Sequence, residues 1–290
     1  MAVIGKPNVG KSTLVNTLVG QKVSIVSDKA QTTRKRILGI HTRGDCQIVF
    51  ADTPGLHSAK HKLGSILNET VRQSLEDVDV VLVVVDASHH PGKEDTALMQ
   101  MLAEHQQRSK VPIVLCMNKM DLLKPVDVEA NYDAYGKMFP TERMMMTSFT
   151  KLRNIDKLVD MIIECLPEGP PLYPEDQVTD QSMRSLSAEM VREKALRLTR
   201  QEVPHAVATY VENWEETPGL TRISVVIMVE TDGQKAILIG KGGSMLKKIG
   251  TQARLDIEEM LGSHVFLEIF VKVRSEWRQN TRLLHELELV

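Results

Sequence analysis

Two glycine-rich loops, one near each end of the chain, carry residue types and spacings that suit phosphate groups. The first loop spans residues 5–12 and reads GKPNVGKS. Its glycines let backbone N–H groups converge on phosphate oxygens, its second lysine supplies positive charge to the β- and γ-phosphates, and its serine hydroxyl suits Mg²⁺. A chance match on a flexible loop is the alternative. The predicted nucleotide-binding residues here are Gly5, Asn8, Val9, Gly10, Lys11, Ser12 and Thr13.

A second motif, DTPG at residues 52–55, directly follows a short apolar run. An acidic residue in this place holds Mg²⁺ through water, and the glycine N–H senses the γ-phosphate. We therefore expect Asp52 to join Ser12 at the metal and Gly55 to contact the γ-phosphate.

A third motif, NKMD at residues 118–121, identifies the base. A carboxylate at Asp121 accepts both the N1–H and the N2–H₂ groups of guanine, a pair of donors that adenine lacks. We expect Asn118 to brace the loop and Lys119 to lie over the base. An isolated motif of this kind is often a surface turn, but three motifs in this order predict a site for GTP or GDP with Mg²⁺.

The second glycine loop, GKGG at residues 240–243, has the spacing of a loop that clamps a single-stranded nucleic-acid backbone. Many helix-entry turns share this pattern, and basic residues also occur on ordinary solvated helix faces. Here residues 234–254 hold five basic residues and no acidic one, which suits a groove that follows phosphates. The predicted RNA-binding residues are Lys235, Ile239, Gly240, Lys241, Gly242, Gly243, Lys247 and Lys248.

Length and composition limit the class of protein. The 290 residues suit two domains, and 42% hydrophobic with 26% charged residues is typical of globular protein rather than disorder. The net charge of −2 means that any nucleic-acid affinity must be local. Three separated cysteines, Cys46, Cys116 and Cys165, predict reduced core residues. Without a leader or a long apolar run, a cytoplasmic protein is expected, and peripheral contact with the inner face of the membrane stays open.

The elements that must position these motifs change character along the chain. Residues 1–167 alternate apolar runs with helical patterns, as parallel α/β units do. The stretch before the first glycine-rich loop is short, so the first strand is expected to form a weak edge of the sheet. Four prolines within residues 167–174 predict a stiff linker, which we assign to residues 168–180. An α+β domain is predicted for residues 181–290. The predicted strands are residues 2–4, 47–51, 80–85, 113–117, 144–148, 221–229 and 265–273.

The first three motifs resemble a GTPase of the translation-factor class. Residues 31–34, QTTR, resemble its first switch, which implies that Thr33, or else Thr32, binds Mg²⁺ and the γ-phosphate. Ser148 and Phe149 stand where such GTPases have a Ser-Ala loop whose backbone N–H meets guanine O6. Phenylalanine in the alanine position departs from that pattern.

Hydrolysis departs from the commonest GTPase pattern as well. Many GTPases place a glutamine after DTPG to orient water, whereas this chain has Leu56 and then His57, so slow intrinsic hydrolysis is expected. Asn8 resembles the asparagine by which related GTPases bind a K⁺ ion that supplies charge in the transition state; a role in loop geometry is the alternative. His57 is either a base or an exposed switch residue. The candidate catalytic residues are Asn8, Lys11, Thr33 and Gly55.

The C-terminal part resembles a KH domain of type II, the second half of an arrangement found in the Era family of GTPases. A KH domain implies a groove, floored by Ile239, Leu246 and Ile249, that takes four nucleotides of single-stranded RNA and not DNA. Trp277 either stacks on a base or packs into the domain. The Era resemblance, and not composition, implies a monomeric factor in small (30S) ribosomal subunit assembly that holds the 3′ end of 16S rRNA.

Two rival functions remain open at this point. One is a regulatory RNA-binding module whose nucleotide pocket does not turn over. The other is a GTPase of tRNA modification, which needs a further catalytic or helical domain for which the chain has no room.

Overall fold

A computed structural model describes residues 1–56, 61–139, 141–200 and 203–289. The described residues form two compact units. The first contains those of 1–24, 33–59 and 67–180, and the second contains those of 25–32, 60–66 and 181–290. Within the described chain, none of the helices is both long and apolar enough to span a bilayer.

A six-stranded sheet forms the centre of the first unit. Its strands are β1 (Ala2–Ile4), β2 (Ile37–Arg43), β3 (Cys46–Asp52), β4 (Val81–Asp86), β5 (Ile113–Asn118) and β6 (Met144–Met146). Their order is β2-β3-β1-β4-β5-β6, with β2 antiparallel to β3 and every other pair parallel. Because parallel strands end at one edge, the loops after β1, β3 and β5 meet there.

Helices pack on both faces of this sheet, as a mostly parallel sheet requires. Successive residues of β4 alternate between two apolar cores: Leu82 and Val84 join one, and Val81, Val83 and Val85 join the other. The helices in this part of the chain are α1 (Lys11–Val19), α2 (Lys62–Gln73), α3 (Lys93–Gln106), α4 (Val128–Met138) and α5 (Ile155–Ile163). The first core is closed by α1 and α5, and the second by α3 and α4.

The short first strand lies in the middle of the sheet. All three residues of β1 are fully buried, and β1 pairs with β3 on one side and β4 on the other. The amino group of Met1 donates a hydrogen bond to the Val49 carbonyl at 2.8 Å. The expectation of a weak edge at this strand is therefore wrong, because neighbours cover both of its sides.

One true edge of the sheet, at β2, is bordered by the proline-rich segment. The N–H groups of Leu172 and Tyr173 both donate to Gln47 Oε1 at 2.9 Å. The Ile40 N–H donates to the Val178 carbonyl, also at 2.9 Å. Residues assigned to a linker from the sequence thus pair with the first unit as far as residue 180.

The second unit has the α+β order that the sequence predicted. Its elements after residue 181 are α6 (Met183–Leu198), α7 (Val203–Ala206), β7 (Ala208–Thr217), β8 (Leu220–Val229), α8 (Asp232–Ile239), α9 (Ser244–Leu261), β9 (His264–Val273) and α10 (Thr281–Glu286). The sheet order is β7-β8-β9, with β7 antiparallel and β9 parallel to β8. Helices α6, α8 and α9 share one apolar core with β8.

Two residues considered for RNA contact belong to the packing of the second unit instead. Trp277 is fully buried, and its Nε1 donates to the Ala206 carbonyl at 2.8 Å, so the base-stacking alternative is wrong. Ile249 is also fully buried in the core with α6 and β8, so it does not floor a groove.

Helix α6 carries three consecutive charged residues that are almost fully buried. The Val26 N–H donates to Glu193 Oε1 at 3.0 Å, and Arg192 donates to the Thr32 carbonyl. Lys194 Nζ donates to Asp256 at 2.5 Å. The bonds of Glu193 and Arg192 hold residues 25–32 in the second unit, and that of Lys194 joins α6 to α9. Helical spacing of charges does not reveal these roles.

Trp277→Ala is expected to lower the free energy of unfolding of the second unit by about 3–5 kcal/mol, because it leaves a cavity and an unsatisfied carbonyl at Ala206. Guanidinium titration followed by tryptophan fluorescence measures this, since the remaining tryptophan, Trp214, also lies in the second unit. Leu255→Ala, at a position 54% exposed, is the control, with a loss below about 1 kcal/mol. Equal effects of the two substitutions would contradict the packing role of Trp277.

Candidate functional site

The loop between β1 and α1 surrounds a buried lysine. Lys11 is only 6% exposed, and its Nζ donates to the carbonyls of Gly5 at 3.0 Å and Lys6 at 3.1 Å. Burial lowers the pKa of Lys11 to about 8, and the nearby Asp52 carboxylate opposes that shift. A phosphate group would give this buried ammonium group a negatively charged hydrogen-bond partner, which backbone carbonyls do not provide.

Two predicted glycines are in places where a side chain does not fit. A Cβ on Gly10, whose φ is +108°, would lie 2.5 Å from Asn118 Nδ2. A Cβ on Gly55 would lie 2.6 Å from the backbone nitrogen of Pro7. The DTPG motif therefore reaches the phosphate loop by backbone contact, as the predicted γ-phosphate contact requires.

Three oxygen-bearing side chains converge at the start of α1. Ser12 Oγ lies 2.6 Å from Asp52 Oδ2 and 2.9 Å from Thr33 Oγ1. Burial raises the pKa of Asp52, and its buried Oδ1 has no hydrogen-bond partner among the described residues. A carboxylate with an unsatisfied oxygen beside two hydroxyls fits Mg²⁺, which prefers oxygen ligands. When bound, the ion neutralises charge on the β- and γ-phosphates.

The structure distinguishes the two threonines that the sequence offered as ligands. Thr32 Oγ1 bonds with Ser27 Oγ and donates to the Lys29 carbonyl, each at 2.6 Å. Thr33 is the residue brought to Ser12. It is therefore the candidate at the metal and the γ-phosphate.

Asn118 braces the base end of the site as predicted. Its Nδ2 donates to the Val9 carbonyl at 2.7 Å, and its Oδ1 accepts the Phe149 N–H at 3.1 Å. The Phe149 ring is buried and packs on Gly10. The N–H expected to meet guanine O6 thus has Asn118 as its acceptor, so this arrangement does not direct it to the base.

The remaining base-site residues lie around the end of β5. Asp121 is partly exposed in a short turn at Met120–Leu122, and Ser148 is fully buried. Lys119 Nζ lies 2.7 Å from Asp86 Oδ2. Asp86 belongs to none of the sequence motifs, although an acidic residue at the end of an otherwise apolar strand is a visible signal.

In the second unit, a groove of about 350 Å³ lies between α9 and β9. Gly243 and Lys247 of the predicted set line it, and Lys247 is exposed. Apolar residues from both elements form part of the wall. The other lining residues are Leu246, Gly250, Thr251, Arg254, Leu267 and Ile269.

Several predicted RNA-binding residues flank this groove without lining it. Gly240 and Gly242 have φ of +71° and +59°, which explains the need for glycine in the GKGG turn. Lys241 and Lys248 are exposed. Lys235 and Ile239 belong to α8 and are partly buried.

Comparison with known proteins identifies the family. The model for 50S ribosome-binding GTPases matches residues 1–119, and the KH domain model matches residues 202–278. GTPase Era of Heliobacterium modesticaldum is 46% identical over 285 residues, which cover 98% of this chain and 94% of that protein. The chain belongs to the Era family of GTPases. GTPase Era of Geotalea daltonii is 45% identical over 287 residues, covering 99% and 95%.

Solved Era structures share the whole fold. A crystal structure of Era in complex with MgGDPNP and nucleotides 1506-1542 of 16S ribosomal RNA has a TM-score of 0.95 and 40% identity, and covers 100% of this chain and 97% of that one. Aquifex aeolicus Era bound to GDP.AlF4- has a TM-score of 0.94 and 40% identity, with coverage of 100% and 98%. Family membership confirms the predicted fold, GTPase activity and Mg²⁺-nucleotide ligands, and it excludes both rival functions.

In the described part of the chain, the residue that follows the DTPG motif is Leu56 and not a glutamine. The Leu56 side chain packs against the apolar core shared with α3 and α4, and its N–H donates to the Gly5 carbonyl at 3.3 Å. His57 lies outside the described residues. Asn8 has φ of +63°, a conformation that asparagine tolerates better than most residues, so the loop-geometry alternative keeps its support.

Binding of GDP is expected to be coupled to proton uptake at Lys11. Its pKa of about 8 in the nucleotide-free protein rises when phosphate oxygens surround the ammonium group, so affinity is highest below pH 8 and falls by up to about tenfold per pH unit above it. At pH 8, about half a proton is taken up per GDP, which calorimetry in buffers of different ionisation enthalpy measures.

Lys11→Met is the control for this titration. It should bind GDP weakly and without the proton uptake. Uptake that persists in Lys11→Met would assign the proton to another group.

Proposed function

We propose that this Era-family protein is a GTP-hydrolysing switch that binds the 3′ end of 16S rRNA through its KH domain and acts in maturation of the 30S ribosomal subunit. The α9–β9 groove beside the GKGG turn carries this proposal. A family member with the same fold over the whole chain is bound to nucleotides 1506-1542 of 16S rRNA.

The chemistry of the groove supports single-stranded RNA as its ligand. Lys247 puts positive charge on one wall, which suits the phosphates, and Arg254 on the same wall is paired with Glu258 at 2.7 Å. Leu246, Leu267 and Ile269 offer apolar surface, which suits the faces of unpaired bases. Bases within a duplex cannot present those faces, so a single-stranded 3′ end fits better than double-stranded DNA.

The proposed hydrolysis is slow and stimulated by K⁺. Leu56 cannot orient water, and the Asn8 amide stands in the phosphate loop, where it would hold a K⁺ ion that would supply positive charge to the transition state. Lys11, Thr33 and Gly55 contact the same phosphate. In this proposal Asn8 is an ion ligand, and it also suits the positive φ that the loop requires at this position.

The protein acts as a monomer in the cytoplasm, where ribosomal subunits are assembled. In this proposal, part of the protein also binds peripherally to the inner face of the cell membrane. Cell fractionation with ribosome-depleted membranes tests it, and absence from that fraction removes the membrane component.

Lys247→Glu is expected to weaken binding of an oligonucleotide with the 16S rRNA 3′ end by about tenfold or more, because it places negative charge in the groove. Lys248→Glu is the matched control, since it makes the same change one residue away, outside the lining, and a loss of two- to threefold is expected. Equal losses would show that general charge, rather than the groove, binds RNA.

Crosslinking of bound RNA in cells, followed by sequencing, tests the identity of the RNA. Reads concentrated at the 16S rRNA 3′ end are expected, and Lys247→Glu should deplete them. Reads scattered over messenger RNAs would overturn the ribosomal assignment.

Single-turnover hydrolysis of GTP is expected to be about tenfold or more faster in K⁺ than in Na⁺. Asn8→Gly separates the two roles of Asn8, because glycine keeps the positive φ without strain but lacks the amide. Loss of K⁺ stimulation in this variant is expected. Stimulation that survives in Asn8→Gly leaves Asn8 with loop geometry alone.

A further inference from the structure

Asp86 occupies the last position of β4, directly beside the guanine loop. In the parallel pairing of β4 with β5, Asp86 is the partner of Asn118. The next N–H, of Ala87, donates to the Asn118 carbonyl at 2.8 Å. The sheet register therefore sets Asp86 next to residues 118–121.

The carboxylate of Asp86 is shared between Lys119 and a serine. Its Oδ2 lies 2.7 Å from Lys119 Nζ, and its Oδ1 accepts bonds from Ser88 Oγ at 2.5 Å and Ser88 N–H at 3.1 Å. The Asp86 side chain is 11% exposed and that of Lys119 is 30% exposed. Burial favours the neutral acid, but the bonds from Lys119 and Ser88 outweigh it and lower the pKa of Asp86, so this carboxyl is charged at neutral pH.

The backbone on both sides of this pair is held firmly. Tyr135 Oη donates to the Asp86 carbonyl at 3.1 Å, and Asn131 Nδ2 donates to the Ala87 carbonyl at 2.9 Å. Lys119 itself has φ of +64°, a left-handed conformation that a non-glycine residue keeps only where the surrounding structure enforces it. An anchored carboxylate thus meets a lysine whose backbone is set in an unusual conformation.

We propose that Asp86 is a positioning residue for guanine-nucleotide binding: it holds the Lys119 side chain over the base without touching the nucleotide. A long lysine stem has many rotamers in solution, and fixing its ammonium group in advance removes an entropic cost of binding. The proposal rests on the assignment of residues 118–121 to the base.

The decisive experiment is a double-mutant cycle on GDP affinity with the full chain. Asp86→Asn keeps the shape of the side chain and removes its charge, and it is expected to raise the Kd of GDP about tenfold. Lys119→Met keeps the stem and removes the ammonium. If Asp86 acts through Lys119, Asp86→Asn adds no further loss in the Lys119→Met background.

The ratio of the Kd values for GDP and inosine diphosphate distinguishes positioning of Lys119 from general damage to the loop. Inosine lacks the N2 amino group read by Asp121 but presents a similar ring face. Asp86→Asn should therefore weaken the binding of both nucleotides equally. Ser88→Ala, which removes only the hydroxyl bond to the carboxylate, is the matched control with a smaller loss, and Asp86→Glu should retain more affinity than Asp86→Asn.

The failing outcomes are distinct. Losses that add in the double variant, or a changed nucleotide ratio, would overturn the positioning role of Asp86. A normal GDP affinity in Lys119→Met would instead overturn the assignment of Lys119 to the base. A lower melting temperature in Asp86→Asn leaves the cycle valid, because Ser88→Ala and Asp86→Glu report on the same carboxylate.

Discussion

Two opposite charges, on Lys11 and Asp52, are buried in the first unit beside the hydroxyl groups of Ser12 and Thr33. Burial shifts the pKa of each toward its neutral form. Among the described residues, protein groups do not fully satisfy either charge: the hydrogen bonds of Lys11 go to backbone carbonyls, and Asp52 keeps a buried oxygen without a hydrogen-bond partner. A phosphate and a divalent cation are the missing counter-charges.

Much of this site was predictable because its chemistry dictates residue types at fixed spacings. A loop that binds phosphate needs glycines and a lysine, and a site that recognises guanine needs a carboxylate. Both requirements hold in any surrounding fold. The apolar runs before the three nucleotide-site motifs are strands β1, β3 and β5, because a strand buried on both faces has little choice of residues.

The missed features depend on the register of strands and on the angle of packing. Asp86 gains its role from pairing opposite Asn118, which no local pattern encodes. Ile249 and Leu246 are both apolar residues of α9. The orientation of the helix against β9 places Ile249 in the core and Leu246 in the lining of the groove. Strand β7 was not predicted, because its second half is rich in glutamate and exposed and so lacks an alternating apolar pattern.

The proline-rich segment that borders β2 has a consequence for solubility. A bare edge strand offers unpaired N–H and C=O groups to any other extended chain, and proteins protect such edges with prolines or covering loops. Residues 172–179 serve as this cover through their bonds to Gln47 and Ile40. A fragment cut at the apparent end of the first domain, near residue 167, would lose the cover and expose β2 to intermolecular β-pairing, whereas a fragment that continues to residue 180 would keep its edge closed.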